Sequence, residues 1–179
     1  MANRAVFIDR DGTINVNFGY ISNPDDFKIY PGVKEGIKAL KDKGFKIVII
    51  TNQSGLARGY YSEEDLDKIH QKMKNELTED VIDAIYYCPH HPDWGCDCRK
   101  PNTGLLDKAI KDLKIDPDNS FLIGDRMLDV EAGHKKKCKT VLVPENKEKV
   151  DIEMQESDVE PDFVCSDFYS GVEWILKNM

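Results

Sequence analysis

"VFIDRDGTIN", residues 6–15, begins as an apolar run and then sets two acids, Asp9 and Asp11, on either side of Arg10. A short run with no polar position has the pattern of a strand covered on both faces. Two carboxylates at the end of a buried strand require a chemical reason, since unpaired charge is costly there.

Working outward, strands alternate with helices. Val33, Ile37 and Leu40 recur at helical spacing and stop at Gly44, which suits a helix C-terminus. "FKIVII" (45–50) is a second strand. Ser62 and Asp65 form a capping-box pattern ahead of a Leu66, Ile69, Met73, Leu77 stripe. "AIYY" (84–87), "SFLIG" (120–124), "TVLV" (140–143) and "FVC" (163–165) are further strands. Helices are expected around Leu106–Leu113 and Val172–Leu176. This order predicts an α/β fold, a parallel sheet with helices on both faces, whose ligands bind beyond the carboxyl ends of the strands.

A chain of 179 residues, 40% hydrophobic, fits one domain spanning 1–179. It has no membrane-length apolar run, and its N-terminus lacks a signal-peptide pattern, so a cytoplasmic location and no membrane partner are expected. The net charge of −8 argues against nucleic acid as a partner. Much of it lies in residues 144–168, nine acids against two lysines, which is expected to be a solvated surface loop. Five cysteines, an odd number, do not make a complete disulfide framework. Three of them, Cys88, Cys96 and Cys98, crowd together with His90.

Asp9 and Asp11 follow the first strand, Thr51 the second, and Asp125 and Asp129 follow "FLIG". Singly, each acid reads as a helix cap. Gathered at one end of a sheet, the acids would repel one another unless a cation joined them, and Mg²⁺ suits hard oxygen ligands beside a phosphate. The C-x-H…C-x-C set at 88–98 suits closed tetrahedral Zn²⁺, a structural rather than catalytic metal. His91 is expected to be a bystander, and Cys138 and Cys165 buried small hydrophobes.

"DRDGT" (9–13), Thr51 in "ITNQSG" (50–55), "RKP" (99–101) and "GDRMLD" (124–129) resemble the four motifs of the haloacid dehalogenase superfamily of phosphatases, in the family's order. More narrowly, "DRDGTIN" with "GY" (19–20), "TNQSGLARG" (51–59), "YYCPHHP" (86–92) and "CDCRKP" (96–101) resemble the heptose-bisphosphate phosphatases, with histidinol-phosphate phosphatases as relatives that share the zinc loop. The resemblance implies a Rossmann-like sheet with a zinc-bound loop insertion. The interval 12–50 is too short for a separate cap domain. It also implies a small sugar bisphosphate as substrate, a monomer, and a place in making nucleotide-activated heptose for lipopolysaccharide or S-layer glycan.

Residue by residue, the resemblance makes Asp9 the nucleophile and Asp11 the general acid/base. Thr51 and Lys100 would hold the transferring phosphoryl group, and Mg²⁺ would sit on Asp9, Asp125 and the Asp11 carbonyl. Asn17, Phe18, Gly19 and Tyr20 would line the mouth, while Asn52, Gln53, Ser54, Arg99 and Arg126 would contact substrate, and Asp129 would stand behind the metal ligands. One departure is "AGHKKKCKT" (132–140), where Cys138 occupies a place at which the family has a turn glycine. A different reading, a zinc-organised binding module whose acids hold a regulatory Mg²⁺, would be separated from an enzyme by whether activity depends on Asp9.

Overall fold

The computed structural model describes residues 2–78 and 80–179. Six strands, β1 (Ala5–Ile8), β2 (Lys46–Asn52), β3 (Ala84–Cys88), β4 (Phe121–Gly124), β5 (Lys139–Leu142) and β6 (Phe163–Val164), form one sheet in the order β3-β2-β1-β4-β5-β6. Every neighbouring pair is parallel. The helices are α1 (Val33–Asp42), α2 (Glu63–Leu77), α3 (Gly104–Leu113), α4 (Met127–Lys135), α5 (Lys147–Glu156) and α6 (Phe168–Lys177).

The strands are apolar throughout because both faces are covered. On β1, Val6 and Ile8 join Ile47 and Ile49 in a core beneath α1, α2 and α6. Ala5 and Phe7 point the other way, with Val48 and Ile50, into a second core containing Leu105, Leu106 and Ala109 of α3. The period-two geometry of a strand thus assigns alternate residues of one run to two different cores.

Local signals explain where elements begin and end. Ser62 and Asp65 close a reciprocal capping box at the start of α2. Gly44 takes a left-handed φ of 81° just past α1. Past α4 the left-handed residue is Lys137, at φ 63°, one position before Cys138, so the turn expected to need glycine falls on a lysine. Cys138 is buried in the second core, whereas Cys165 is only partly buried. Among the described residues, the chain between β1 and β2 carries only a short 3₁₀ turn, Pro24–Asp26, and α1, so no cap domain is inserted there.

The acidic stretch 144–168 is not one solvated loop. Residues 147–156 form α5, Val150 is buried against Met127, Val130 and Leu142, and β6 pairs with β5. A net negative charge masked the small apolar side, Val150 with the partly buried Met154, that docks this helix.

From β1 the chain builds outward through β2 to β3 and then returns to place β4 on the other flank of β1. This reversal opens a crevice at the carboxyl ends of β1 and β4, where open α/β sheets bind their ligands.

Candidate active site

Asp9 leaves the sheet directly after β1, and its N–H donates to the Ile123 carbonyl of β4 at 3.0 Å. Asp125 leaves directly after β4. Asp9, Asp125 and Asp129 each bring a carboxylate oxygen within 4.8 Å of the others. Lys100 reaches this group from beyond β3, its buried ammonium donating to Asp9 Oδ1 at 2.8 Å, to Asp129 Oδ1 at 2.5 Å and to the Ile50 carbonyl at 2.7 Å. Gly12 turns the chain at φ 88°, and a Cβ there would stand 2.6 Å from Asp125 Oδ2, so only glycine permits the approach.

The electrostatics are lopsided. Burial pushes Asp125 up to about 9, with the Asp9 and Asp129 charges adding to it. Burial also raises Asp129, to about 6, although Lys100 partly offsets it. Lys100 stays protonated against its own burial because Asp129 and Asp9 hold the charge. One ammonium is insufficient for three buried carboxylates, and a hard divalent cation supplies the missing positive charge. The oxygen donor set therefore fits Mg²⁺.

The Asp11 side chain turns away from this group. Its Oδ1 accepts from Arg10 Nε, Arg10 NH2 and Asn15 Nδ2 at 3.1, 2.9 and 3.0 Å. Oδ2 accepts from Arg10 NH2 and Gln53 Nε2 at 2.7 and 2.8 Å. Burial alone would raise its carboxyl, but Arg10 outweighs it and holds Asp11 below the usual carboxylate range.

A cavity of about 350 Å³ joins these groups, lined by Asp9, Asp11, Asn17, Gly19, Tyr20, Thr51, Asn52, Gln53, Ser54, Tyr61, Arg99, Lys100, Asp125, Arg126 and Leu128. Of the residues expected in the mouth, Phe18 lies outside the lining: its ring is exposed, with the Lys28 ammonium 5.7 Å from its centroid. Several expected substrate contacts are already committed to protein partners. Asn52 spends both ends of its amide on the Lys100 backbone. Gln53 donates to Asp11 and Thr51 and accepts from Arg10 and Tyr61, which saturates it. Arg126 is bound to Glu153 of α5, whose other oxygen accepts the Met127 N–H at the start of α4. Arg99 differs, because its buried NH1 has no hydrogen-bond partner.

Sequence reasoning missed Arg10, Tyr61 and His70, which surround Asp11 and Gln53. His70 was detectable: it sits four residues after Leu66, on the apolar face of α2, where a polar side chain needs a buried partner.

Cys88, His90, Cys96 and Cys98 converge at the end of β3. The sulfurs lie 3.2–3.5 Å apart, and His90 Nδ1 is 3.2 Å from Cys98 Sγ and 3.7 Å from Cys88 Sγ. These spacings are too long for a disulfide and approach the edge of about 3.7 Å that a tetrahedron with metal–sulfur bonds of about 2.3 Å requires. Three thiols and one imidazole fit Zn²⁺. Asn102 ties the loop by donating to the Cys96 carbonyl at 2.8 Å, and Arg99 and Lys100 follow Cys98 directly. His91 is not among the four converging ligands; its Nδ1 accepts from the Asp93 N–H.

Comparison with known proteins agrees with this geometry. A HAD-hydrolase-like family model matches residues 97–170. D-glycero-beta-D-manno-heptose-1,7-bisphosphate 7-phosphatase of Haemophilus ducreyi is 46% identical over 149 residues, 78% of this chain and 82% of the relative. The enzyme of that name from Escherichia coli K12 is 44% identical over 72% of each chain. The crystal structure of D,D-heptose 1,7-bisphosphate phosphatase from B. bronchiseptica, complexed with magnesium and phosphate, superposes with a TM-score of 0.87 at 31% identity, covering 98% of this chain and 99% of that one. Identity of this level over most of the chain, with a structural match along nearly its whole length, shows that it belongs to the D-glycero-D-manno-heptose-1,7-bisphosphate 7-phosphatase family of haloacid dehalogenase-like phosphatases.

Proposed function

We propose that the chain hydrolyses the 7-phosphate of D-glycero-D-manno-heptose 1,7-bisphosphate through an aspartyl-phosphate on Asp9. The observation that carries the reading is the meeting of Asp9, Asp125, Asp129 and Lys100 at the crevice between β1 and β4, beside the unpartnered Arg99 NH1. An ammonium beside three carboxylates prepares a place for a phosphoryl group and a cation together, and the spare guanidinium donor suits a second phosphate.

In this mechanism a carboxylate oxygen of Asp9 attacks phosphorus in line as the bond to the sugar oxygen breaks. Asp11, when protonated, gives its proton to the departing alkoxide. Water then attacks the aspartyl-phosphate, Asp11 accepts the proton, and the Asp9 carboxylate is regenerated as phosphate leaves. The ionised Asp11 described above is in the state this second step requires. Thr51 donates its hydroxyl to the phosphoryl group, and Lys100 stabilises the charge gathering there. Mg²⁺, held by Asp9, Asp125 and the Asp11 carbonyl, would neutralise charge on the phosphoryl oxygens. Asn17, Gly19, Tyr20 and Ser54 shape the mouth, and Arg99 grips the far phosphate. The enzyme works in the cytoplasm, as a monomer of one domain, on a small soluble substrate.

The test is phosphate release from both anomers of the heptose bisphosphate, the corresponding monophosphate and histidinol phosphate. The bisphosphate should be preferred. Asp9→Asn should abolish turnover with the fold intact, and Arg99→Ala should narrow the preference for bisphosphate by about 10–150-fold, the value of one charge-assisted contact kept in the transition state. A preference for histidinol phosphate would overturn the substrate, and an active Asp9→Asn would overturn the covalent route.

A further inference from the structure

We infer that His70 and Tyr61 are positioning residues for Asp11, acting through Arg10 and Gln53; the inference rests on the acid/base role given to Asp11 above. Five hydrogen bonds fix the Asp11 carboxylate, and four of them come from just two side chains, Arg10 and Gln53. Each of those two is in turn fixed from behind.

Arg10 is 1% exposed, and the outer nitrogen of its guanidinium that does not face Asp11, NH1, lies 3.3 Å from His70 Nε2. Arginine can only donate, so His70 Nε2 accepts, which places the imidazole proton on Nδ1. Burial and the Arg10 charge both keep His70 neutral, the state this contact needs. Without His70, the guanidinium would keep a buried N–H with no acceptor, and its fit against Asp11 would rest on the Asp11 and Gln53 contacts alone.

Gln53 has a similar dependence. Its Oε1 accepts from Tyr61 OH at 2.6 Å, which orients the amide so that Nε2 faces Asp11 and Thr51. The Tyr61 ring is admitted by Gly55, where a Cβ would lie 2.2 Å from the ring. Removing the hydroxyl would leave the longer Arg10 contact, at 3.2 Å, as the one remaining hydrogen bond on Oε1 and would loosen the amide that holds Asp11. His70 is on α2 and forms part of a recess with Asp67, Lys74 and Tyr87, separate from the cavity that Asp9 lines.

The step affected is hydrolysis of the aspartyl-phosphate. The water oxygen bonds to phosphorus, the bond from phosphorus to the Asp9 oxygen breaks, and the water proton passes to an Asp11 oxygen. Formation of the aspartyl-phosphate from an aryl phosphate needs no such help, since a nitrophenolate departs without a proton. A positioning role therefore predicts that the two half-reactions separate.

The experiment is rapid mixing of p-nitrophenyl phosphate with the Mg²⁺- and Zn²⁺-loaded enzyme and with Tyr61→Phe, His70→Ala, His70→Gln and Asp11→Asn. Tyr61→Phe and His70→Ala should release one nitrophenolate per chain in a burst at the wild-type rate. Turnover should then be about 10-fold slower, a part of the loss expected when a general base is removed entirely. His70→Gln, whose amide oxygen can accept from Arg10, should restore turnover, and KM for the heptose bisphosphate should stay within about twofold in all three. Burst and turnover that fall together, or turnover that is unchanged, would overturn the inference. If Asp11→Asn itself turns over like wild type, the acid/base role of Asp11 is wrong instead. Tyr61→Phe, an isosteric change, keeps the test valid if His70→Ala fails to fold.

Discussion

Asn52 clasps the backbone of Lys100: its Nδ2 donates to the Lys100 carbonyl and its Oδ1 accepts the Lys100 N–H, each at 3.1 Å. The last residue of β2 thereby fixes the height at which the lysine enters the site. Asn52→Ala leaves two backbone groups without partners, at a cost of about 1–3 kcal/mol in stability. Turnover should fall further than stability alone explains, because the Lys100 ammonium loses its aim. Denaturant melts beside kcat would check this; a stable variant with unchanged kcat would count against it.

The zinc loop should be separable from the sheet. Cys96→Ser removes one of four ligands, so hydrogen exchange should rise across residues 88–98 while β1 and β4 stay protected. Activity should drop with it, since Arg99 and Lys100 follow the last ligand. Elemental analysis of the wild type should find one zinc per chain.

His70 makes stability depend on pH. Burial, with the Arg10 charge, pushes its pKa from 6.5 down to about 3. The unfolded chain therefore takes up a proton near pH 6.5 that the folded chain refuses until about pH 3. The stabilisation is complete above pH 6.5 and declines as pH falls through this window, by up to about 1.4 kcal/mol per pH unit. Between pH 7.5 and 5.5 the wild type should lose about 1.4 kcal/mol more than His70→Gln in parallel guanidinium titrations. Equal losses would show that His70 titrates normally.

Lys137 is strained at φ 63° where α4 turns into β5. Lys137→Gly should relieve a left-handed conformation that costs a side chain roughly 1–2 kcal/mol, less the entropy glycine adds to the unfolded chain, for a net gain of about 0.5–1 kcal/mol. A lower melting temperature in the variant would contradict this.

The sheet was legible in the sequence because β1, β2 and β4 are covered on both sides, and continuous apolar runs report that directly. The acids were legible because they stop those runs. Helix α5 was not: one buried residue, Val150, among many charges leaves no periodic stripe to find. Nor could sequence distinguish side chains that face the cavity from those spent holding it. Asn52, Gln53 and Arg126 all border the cavity, yet their polar atoms are taken by Lys100, Asp11, Thr51 and Glu153, partners that are remote along the chain or hidden by the turn of a strand end. Nothing in the sequence marks Arg10, flanked by two acids, as one of the most buried side chains in the protein.

The register of β1 with β4, Ile8 opposite Ile123, has a consequence for how such an enzyme can change. Asp9 follows Ile8 directly and Asp125 lies two residues past Ile123, on strands about 4.8 Å apart, so the backbone ladder fixes both the spacing of the two acids and their one-residue offset. Other groups that line the cavity sit instead on the turn at 17–20, the segment after β2 and the segment that follows the zinc loop, none of which contributes to that ladder. Insertions or exchanges in those three segments can reshape what the cavity admits while the spacing of the two acids stays constant. The acids are thus tied to the hydrogen-bonded sheet, and the rest of the cavity wall to loops, the parts of a fold most tolerant of alteration.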